Sequence, residues 1–117
     1  MIDAPYVCEA PRIVDGDSIR CGKLRLRLLG IDAPEMGKCP RQRVCVQGSG
    51  SASKSSLARA VRLGTVRYRS IKLDRYGRTI AVVHARGLNL SCYQIRAGQA
   101  AYVGRWDDGG IIRRECR

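Results

Sequence analysis

Between Lys23 and Pro34 the chain reads Lys-Leu-Arg-Leu-Arg-Leu-Leu-Gly-Ile-Asp-Ala-Pro, and that run limits the fold more than any other feature. Strict alternation from Lys23 to Leu28 is the period of a half-buried strand. It assigns Leu24, Leu26 and Leu28 to a core face and Arg25 and Arg27 to the opposite one. Pro34 has no amide hydrogen and biases Ala33 towards extended geometry, so Asp32 and Glu35 fall at the strand exit. A strand leading into a proline-fixed turn with two carboxylates is suited to carry a site.

Flanking segments extend this strand into a sheet. Residues 6–14 read as a first strand, Asp15-Gly16-Asp17-Ser18 as a hairpin turn, and Ser18-Ile19-Arg20-Cys21 as the return strand. Gly22-Lys23 turns the chain again, which makes a three-strand meander. Residues 37–56 are rich in Gly, Ser and Gln and read as a surface loop. Ser51, Ser53 or Ser55 is placed to cap a helix with Ala58, Leu57, Ala60 and Val61 on its apolar stripe, ended by Gly64. Val66 to Leu73 alternates with a phase slip at Ser70-Ile71 that signals a bulge. A turn at Asp74–Arg78, a strand over Ile80–Ala85, and a helix from about Asn89 to Ala97 closed by Gly98 complete the pattern. His84, inside that strand, reads as structural. From Tyr102 onwards periodicity is lost, and Asp107–Gly110 reads as a loop. Five strands and two helices predict a mainly β fold with peripheral helices, an α+β arrangement built on a small closed Greek-key barrel.

With 117 residues, one domain spanning the whole chain is expected. No apolar run approaches the roughly 20 residues of a membrane-spanning helix, and residues 1–5 show neither a basic nor an apolar signal region. The 22 basic residues against 10 acidic ones give a net charge of +12, and 18 of the basic residues are arginine. Such a field attracts polyanions, nucleic acid first among them. Five of the acids nevertheless concentrate in three short motifs as Asp15, Asp17, Asp32, Glu35 and Asp74. Clustered carboxylates in a basic chain point to a metal or acid–base site. Six cysteines allow three disulfides; the Cys39–Cys45 pair, bracketing a short polar loop, is the one local bridge expected. That count favours an oxidising compartment, secreted or periplasmic, over free thiols in a cytoplasmic protein. A single histidine and no Cys-x-x-Cys argue against zinc.

Taken in order, Asp15-Gly16-Asp17-Ser18, Arg27 through Glu35, and Asp74-Arg75-Tyr76-Gly77-Arg78 resemble the three signature motifs of the staphylococcal nuclease (thermonuclease) family. The resemblance implies a five-stranded OB-fold barrel and calcium-dependent hydrolysis of phosphodiester bonds in DNA, RNA or both. It implies Ca²⁺ held by Asp17, Asp32 and the backbone carbonyl of Ala33, where family members often have Thr. It makes Glu35 the general base or the water-orienting group, and Arg27 and Arg78 the groups that stabilise the phosphoryl transition state. Arg75, Tyr76 and Tyr102 correspond to substrate contacts, with Trp106 a second candidate for base stacking. Asp15 reads as a turn residue supporting the site. Ser18 stands where a Thr is frequent, and the tail is shorter than in longer members, which leaves their C-terminal helix open.

The chemistry is coherent without the family. Phosphodiester hydrolysis adds charge to an anionic phosphoryl group, which two planar guanidinium forks and a hard divalent ion in an all-oxygen shell can balance. The expected partner is therefore nucleic acid and not a membrane, with the protein a monomer. Two alternatives remain: a non-catalytic OB-fold nucleic-acid-binding module, and a disulfide-stabilised secreted domain with a protein partner. Neither has a use for carboxylates facing a polyanion.

Overall fold

A computed structural model describes residues 4–116. Its elements are β1 (Tyr6–Val7), β2 (Arg12–Asp15), β3 (Ser18–Cys21), β4 (Leu24–Leu28), β5 (Ile31–Asp32), α1 (Gly50–Val61), β6 (Val66–Leu73), β7 (Thr79–Ala85), β8 (Leu88–Asn89), α2 (Leu90–Arg96), β9 (Ala101–Tyr102) and α3 (Ile111–Glu115). The main sheet runs β1-β6-β7-β4-β3-β2, curled as a half-barrel, with β8 added to β7 and β5 paired separately with β9. This is the mainly β fold with peripheral helices that the pattern predicts.

The meander β2-β3-β4 forms in the expected register, Ile13 opposite Ile19 and Ile19 opposite Leu26. Leu26 and Leu28 are buried with Ile19, Ile31, Leu57, Val83 and Leu90, while Leu24 is only partly covered. The decisive long-range link is the parallel pairing of β4 with β7, Leu26 beside Thr79 and Arg27 beside Ile80. It brings the third signature motif, which leads into β7, beside β4, on whose last residues the second motif begins. The slip in β6 is real: register shifts between Ser70 and Lys72.

Three local expectations change. The first strand is split, because Ala10 takes a positive φ of 46° ahead of Pro11 and breaks the extended run. Helix α1 is capped by Ser49, whose Oγ accepts from the Ala52 amide at 3.1 Å, and not by Ser51, Ser53 or Ser55. Its early start follows from Gly50, which lies so close to the Glu35 carbonyl that a Cβ would approach it at 2.2 Å. Ser53 is buried instead and donates to the Gln99 carbonyl at 2.6 Å. Gly64 is not a left-handed cap either. The helix closes on Arg62, and Gly64 is confined by the Arg86 backbone 3.2 Å from where a Cβ would sit. Helix α2 forms close to the expected bounds, with Asn89 as its cap and Gly98 following at φ 70°.

Three disulfides pin the periphery: Cys8–Cys21, the expected Cys39–Cys45, and Cys92–Cys116. The last ties α2 to the end of α3, the short C-terminal helix. His84 is buried in β7 and its Nε2 lies 3.1 Å from Glu115 Oε1, a second tie to α3.

Asp107 organises this C-terminal corner. Its carboxylate accepts the amides of Ile112 (3.0 Å) and Arg113 (3.1 Å) and the hydroxyl of Tyr102 (2.7 Å). Burial by itself pushes its pKa up, but these donors and the Arg113 charge outweigh burial and hold it below the usual carboxylate range. The stabilisation is therefore present above the unfolded-state value of about 3.9 and is lost as pH falls through the lower folded value. Asp107→Ala is expected to lower stability by about 2 kcal/mol at pH 7. Urea denaturation should find that difference shrinking below about pH 4; a constant difference would assign the loss to packing.

Candidate active site

The site begins with the β3–β4 ladder. Ser18 faces Arg27 across it, and the Leu28 amide donates to the Asp17 carbonyl at 2.9 Å, so the hairpin turn lies beside the outward end of β4. Gly16 permits this, since a Cβ there would meet Ser53 Oγ at 1.8 Å. Asp17 Oδ2 accepts the Ala33 amide at 2.9 Å, which fixes the turn to the exit of β5. Asp17 and Asp32 are consequently both buried, 5% and 6% exposed.

Arg27 lies between them. Its Nη1 is 3.1 Å from Asp17 Oδ1, and its Nη2 is 3.8 Å from Asp32 Oδ1 and 3.2 Å from the Ile31 carbonyl. Burial raises the Asp17 pKa, yet the Arg27 charge, the Asp15 hydrogen bond, the Ala33 amide and the Ser18 hydroxyl together lower it below the ordinary value. Asp15 responds oppositely: burial first, then the hydrogen bond and negative charge of Asp17, push it up to about 6. Its Oδ1 accepts the Asp17 amide at 3.1 Å, a turn-supporting position.

On the far wall the Asp74 carboxylate clamps its own turn. Oδ1 accepts the amides of Tyr76 and Arg78, each at 2.9 Å, and Oδ2 accepts Arg78 Nε at 2.7 Å. One cleft of about 380 Å³ joins the two walls, lined by Arg27, Arg43, Arg75, Arg78, Tyr76 and Trp106 among others. Arg27 lies over the Trp106 ring at 5.2 Å, and Arg75 and Arg78 lie over Tyr76 at 5.1 and 5.4 Å.

Of the residues singled out in the sequence, Asp17, Asp32, Ala33, Arg27 and Glu35 form one cluster, and Arg75, Tyr76 and Arg78 face it across the cleft. Tyr102 does not line the cleft; its hydroxyl is committed to Asp107. Trp106 supplies the aromatic face there. Arg43 was not foreseen. It ion-pairs with Asp32 (Nη2 to Oδ1, 2.7 Å) and with Glu35 through Nη1. The available signal was its place inside the Cys39–Cys45 loop, which returns a basic stretch to the carboxylates it follows.

A family model described as Staphylococcal nuclease homologue matches residues 25–111. The chain belongs to that family. An uncharacterized endonuclease of Haemophilus influenzae is 33% identical over 98 residues, covering 80% of this chain and 50% of its own length. A micrococcal nuclease of Shigella flexneri is 38% identical over 86 residues, covering 70% of this chain and 44% of its own. The chain spans about half the length of the curated relatives it matches. The staphylococcal nuclease match begins at Arg25, so Asp15–Ser18 joins the site through its motif and its bonds to Arg27 and Ala33.

The donor chemistry fits a hard cation. Two buried carboxylates and a neighbouring backbone carbonyl are oxygen ligands of the kind Ca²⁺ accepts, with water completing the shell. Among the described residues no three His, Cys, Asp or Glu side chains cluster to hold a metal by themselves. Arg27 and Arg43 instead balance these carboxylates.

Proposed function

We propose that this chain is the nuclease domain of a calcium-dependent phosphodiesterase acting on DNA, RNA or both. The observation that carries the reading is the convergence of Arg27 with Arg43, Arg75 and Arg78 on one cleft, whose Arg27 wall is built on Asp17 and Asp32. A cleft for binding alone would gain from the guanidiniums and lose from the acids.

In this reading Asp17, Asp32 and the Ala33 carbonyl hold Ca²⁺. When bound, the ion supplies Lewis-acid polarisation of the phosphoryl group and of water. The chain's own residues do the rest. Glu35 orients the attacking water or accepts its proton, Arg27 and Arg78 take up the charge gained by the phosphoryl oxygens, and the P–O bond opposite the incoming oxygen breaks, the departing oxygen taking a proton from solvent. Asp74 holds Arg78 at its Nε, which leaves the two terminal nitrogens of the fork for phosphate. Arg43 must release Glu35 for either of its roles. Three disulfides suit a secreted or periplasmic setting, and among the described residues no helix is long and apolar enough to cross a membrane.

Cleavage of single-stranded DNA with added Ca²⁺ and with EGTA tests this directly. Calcium-dependent cleavage is expected. Binding without cleavage in any divalent metal would leave a nucleic-acid-binding module and return Asp17 and Asp32 to turn residues.

A further inference from the structure

The outward face of the meander carries charges in an unusual register. Arg12 of β2 stands directly opposite Arg20 of β3, and Arg20 directly opposite Arg25 of β4. Leu26 pairs with Thr79, so the residues before them, Arg25 and Arg78, are next in the same line. Three arginines thus cross three adjacent strands in one row, perpendicular to the strands and about 4.8 Å apart from strand to strand, and Arg78, in the turn just ahead of β7, continues the line. Like charges directly opposite one another destabilise a sheet. Arg12 and Arg20 are exposed, and among the described residues neither they nor Lys54 of α1 has an ion-pair partner.

The surface along this row is grooved. One hollow of about 420 Å³ is lined by Lys54, Arg12 and Arg20. A second of about 180 Å³ is lined by Arg20, Arg25 and Arg78, with Asp15 the acid on its wall. Arg78 also lines the candidate active cleft. Each hollow therefore shares an arginine with the next, and the row leads from α1 into the site.

We propose that Lys54, Arg12, Arg20 and Arg25 form a phosphate track that holds a single-stranded polynucleotide beside the nucleotide undergoing cleavage. The proposal rests on the nuclease reading for its substrate and adds where the strand lies. Charges repeated at strand spacing along a curled sheet suit a flexible backbone, whose phosphates adjust to them. A duplex holds its phosphates in a fixed helical array and cannot follow the curve. An anion threading between the paired arginines relieves their mutual repulsion.

The test uses the full chain and the Arg12→Gln/Arg20→Gln variant, with labelled oligothymidylates, a trimer and a dodecamer, measured by fluorescence anisotropy in EGTA. The variant should bind the dodecamer about 5- to 10-fold more weakly. Its slope of log affinity against log salt should fall by about 1.4, at about 0.7 per lost phosphate contact on a single strand. Trimer cleavage in Ca²⁺ should be unchanged and the melting midpoint equal or higher, because the substitutions remove opposed like charges. Equal loss for trimer and dodecamer, or none for the dodecamer, overturns the track. So does a duplex dodecamer that binds as tightly as the single strand and loses as much. A wild-type chain that cleaves, with a variant indifferent to length, refutes the track and leaves the nuclease reading standing. Length-dependent loss in a chain that never cleaves does the reverse.

Discussion

Arg27→Ala is expected to cost about 3–5 kcal/mol of stability as well as at least about 100-fold in turnover. The first figure follows from position. Arg27 has a side chain only 12% exposed and is 3.1 Å from Asp17 and 3.8 Å from Asp32, carboxylates that are themselves buried. Its removal leaves two desolvated anions beside each other with Arg43 as the remaining nearby cation, and that guanidinium is 40% exposed and reaches only Asp32 and Glu35. The second figure is the usual consequence of removing one preorganised donor from a developing oxyanion. Denaturation in urea at neutral pH, with cleavage measured where the variant remains folded, separates the two. Adding Asp17→Asn should recover much of the stability and none of the activity. Arg78→Ala makes the contrast: its partner Asp74 keeps two backbone amides, so the fold should survive while turnover falls. An Arg27→Ala protein as stable as wild type would mean that water reaches Asp17 and Asp32 freely.

How much of this was legible in the sequence depended on the range of the interaction concerned. The β2-β3-β4 meander, the bulge in β6 and the Asn89 start of α2 are local, set by alternation, by a phase slip and by a capping side chain, and they appear where the residues place them. Assigning Asp17, Asp32, Arg27 and Arg78 to one neighbourhood took more than periodicity. It needed the family's motif order, because the contact between β4 and β7 spans some fifty residues. The Ser49 cap was hidden because serines recur at 49, 51, 53, 55 and 56, and the choice among them is made by the approach of Gly50 to the Glu35 backbone. The same limit applies to Arg43. Nothing in the period or propensity of residues 37–49 directs one arginine among several basic residues towards Asp32. The Cys39–Cys45 crosslink folds that loop back, and only the folded loop shows which guanidinium arrives. Cross-strand opposition of Arg12, Arg20 and Arg25 was equally invisible, since each arginine alone is an ordinary outward residue of its strand.

Glu35→Gln is expected to reduce turnover by about 10²- to 10⁴-fold while leaving the fold intact. Stability should hardly change, because Glu35 is 28% exposed at its side chain and its partner, Arg43, is 40% exposed; pairs of that exposure contribute about 0–1 kcal/mol. The substitution keeps the shape and one acceptor oxygen but cannot accept a proton. That difference separates the two roles open to Glu35. If it only orients water, the loss should stay at the lower end of that range; if it takes the proton, the loss should reach the upper end. Arg43 makes the experiment more informative, because it now holds Glu35 and Asp32 together. Arg43→Ala should free both carboxylates and tighten Ca²⁺ binding, by about fivefold if the pair competes with the ion at roughly 1 kcal/mol. Calorimetric titration of the nucleic-acid-free protein reads that change without reference to catalysis. Weaker Ca²⁺ binding in Arg43→Ala would make Arg43 a support of the carboxylate cluster and not a competitor for it. Loss of turnover in that variant despite tighter Ca²⁺ would then place Arg43 on the substrate, where its position on the cleft wall already puts it within reach of an incoming phosphate.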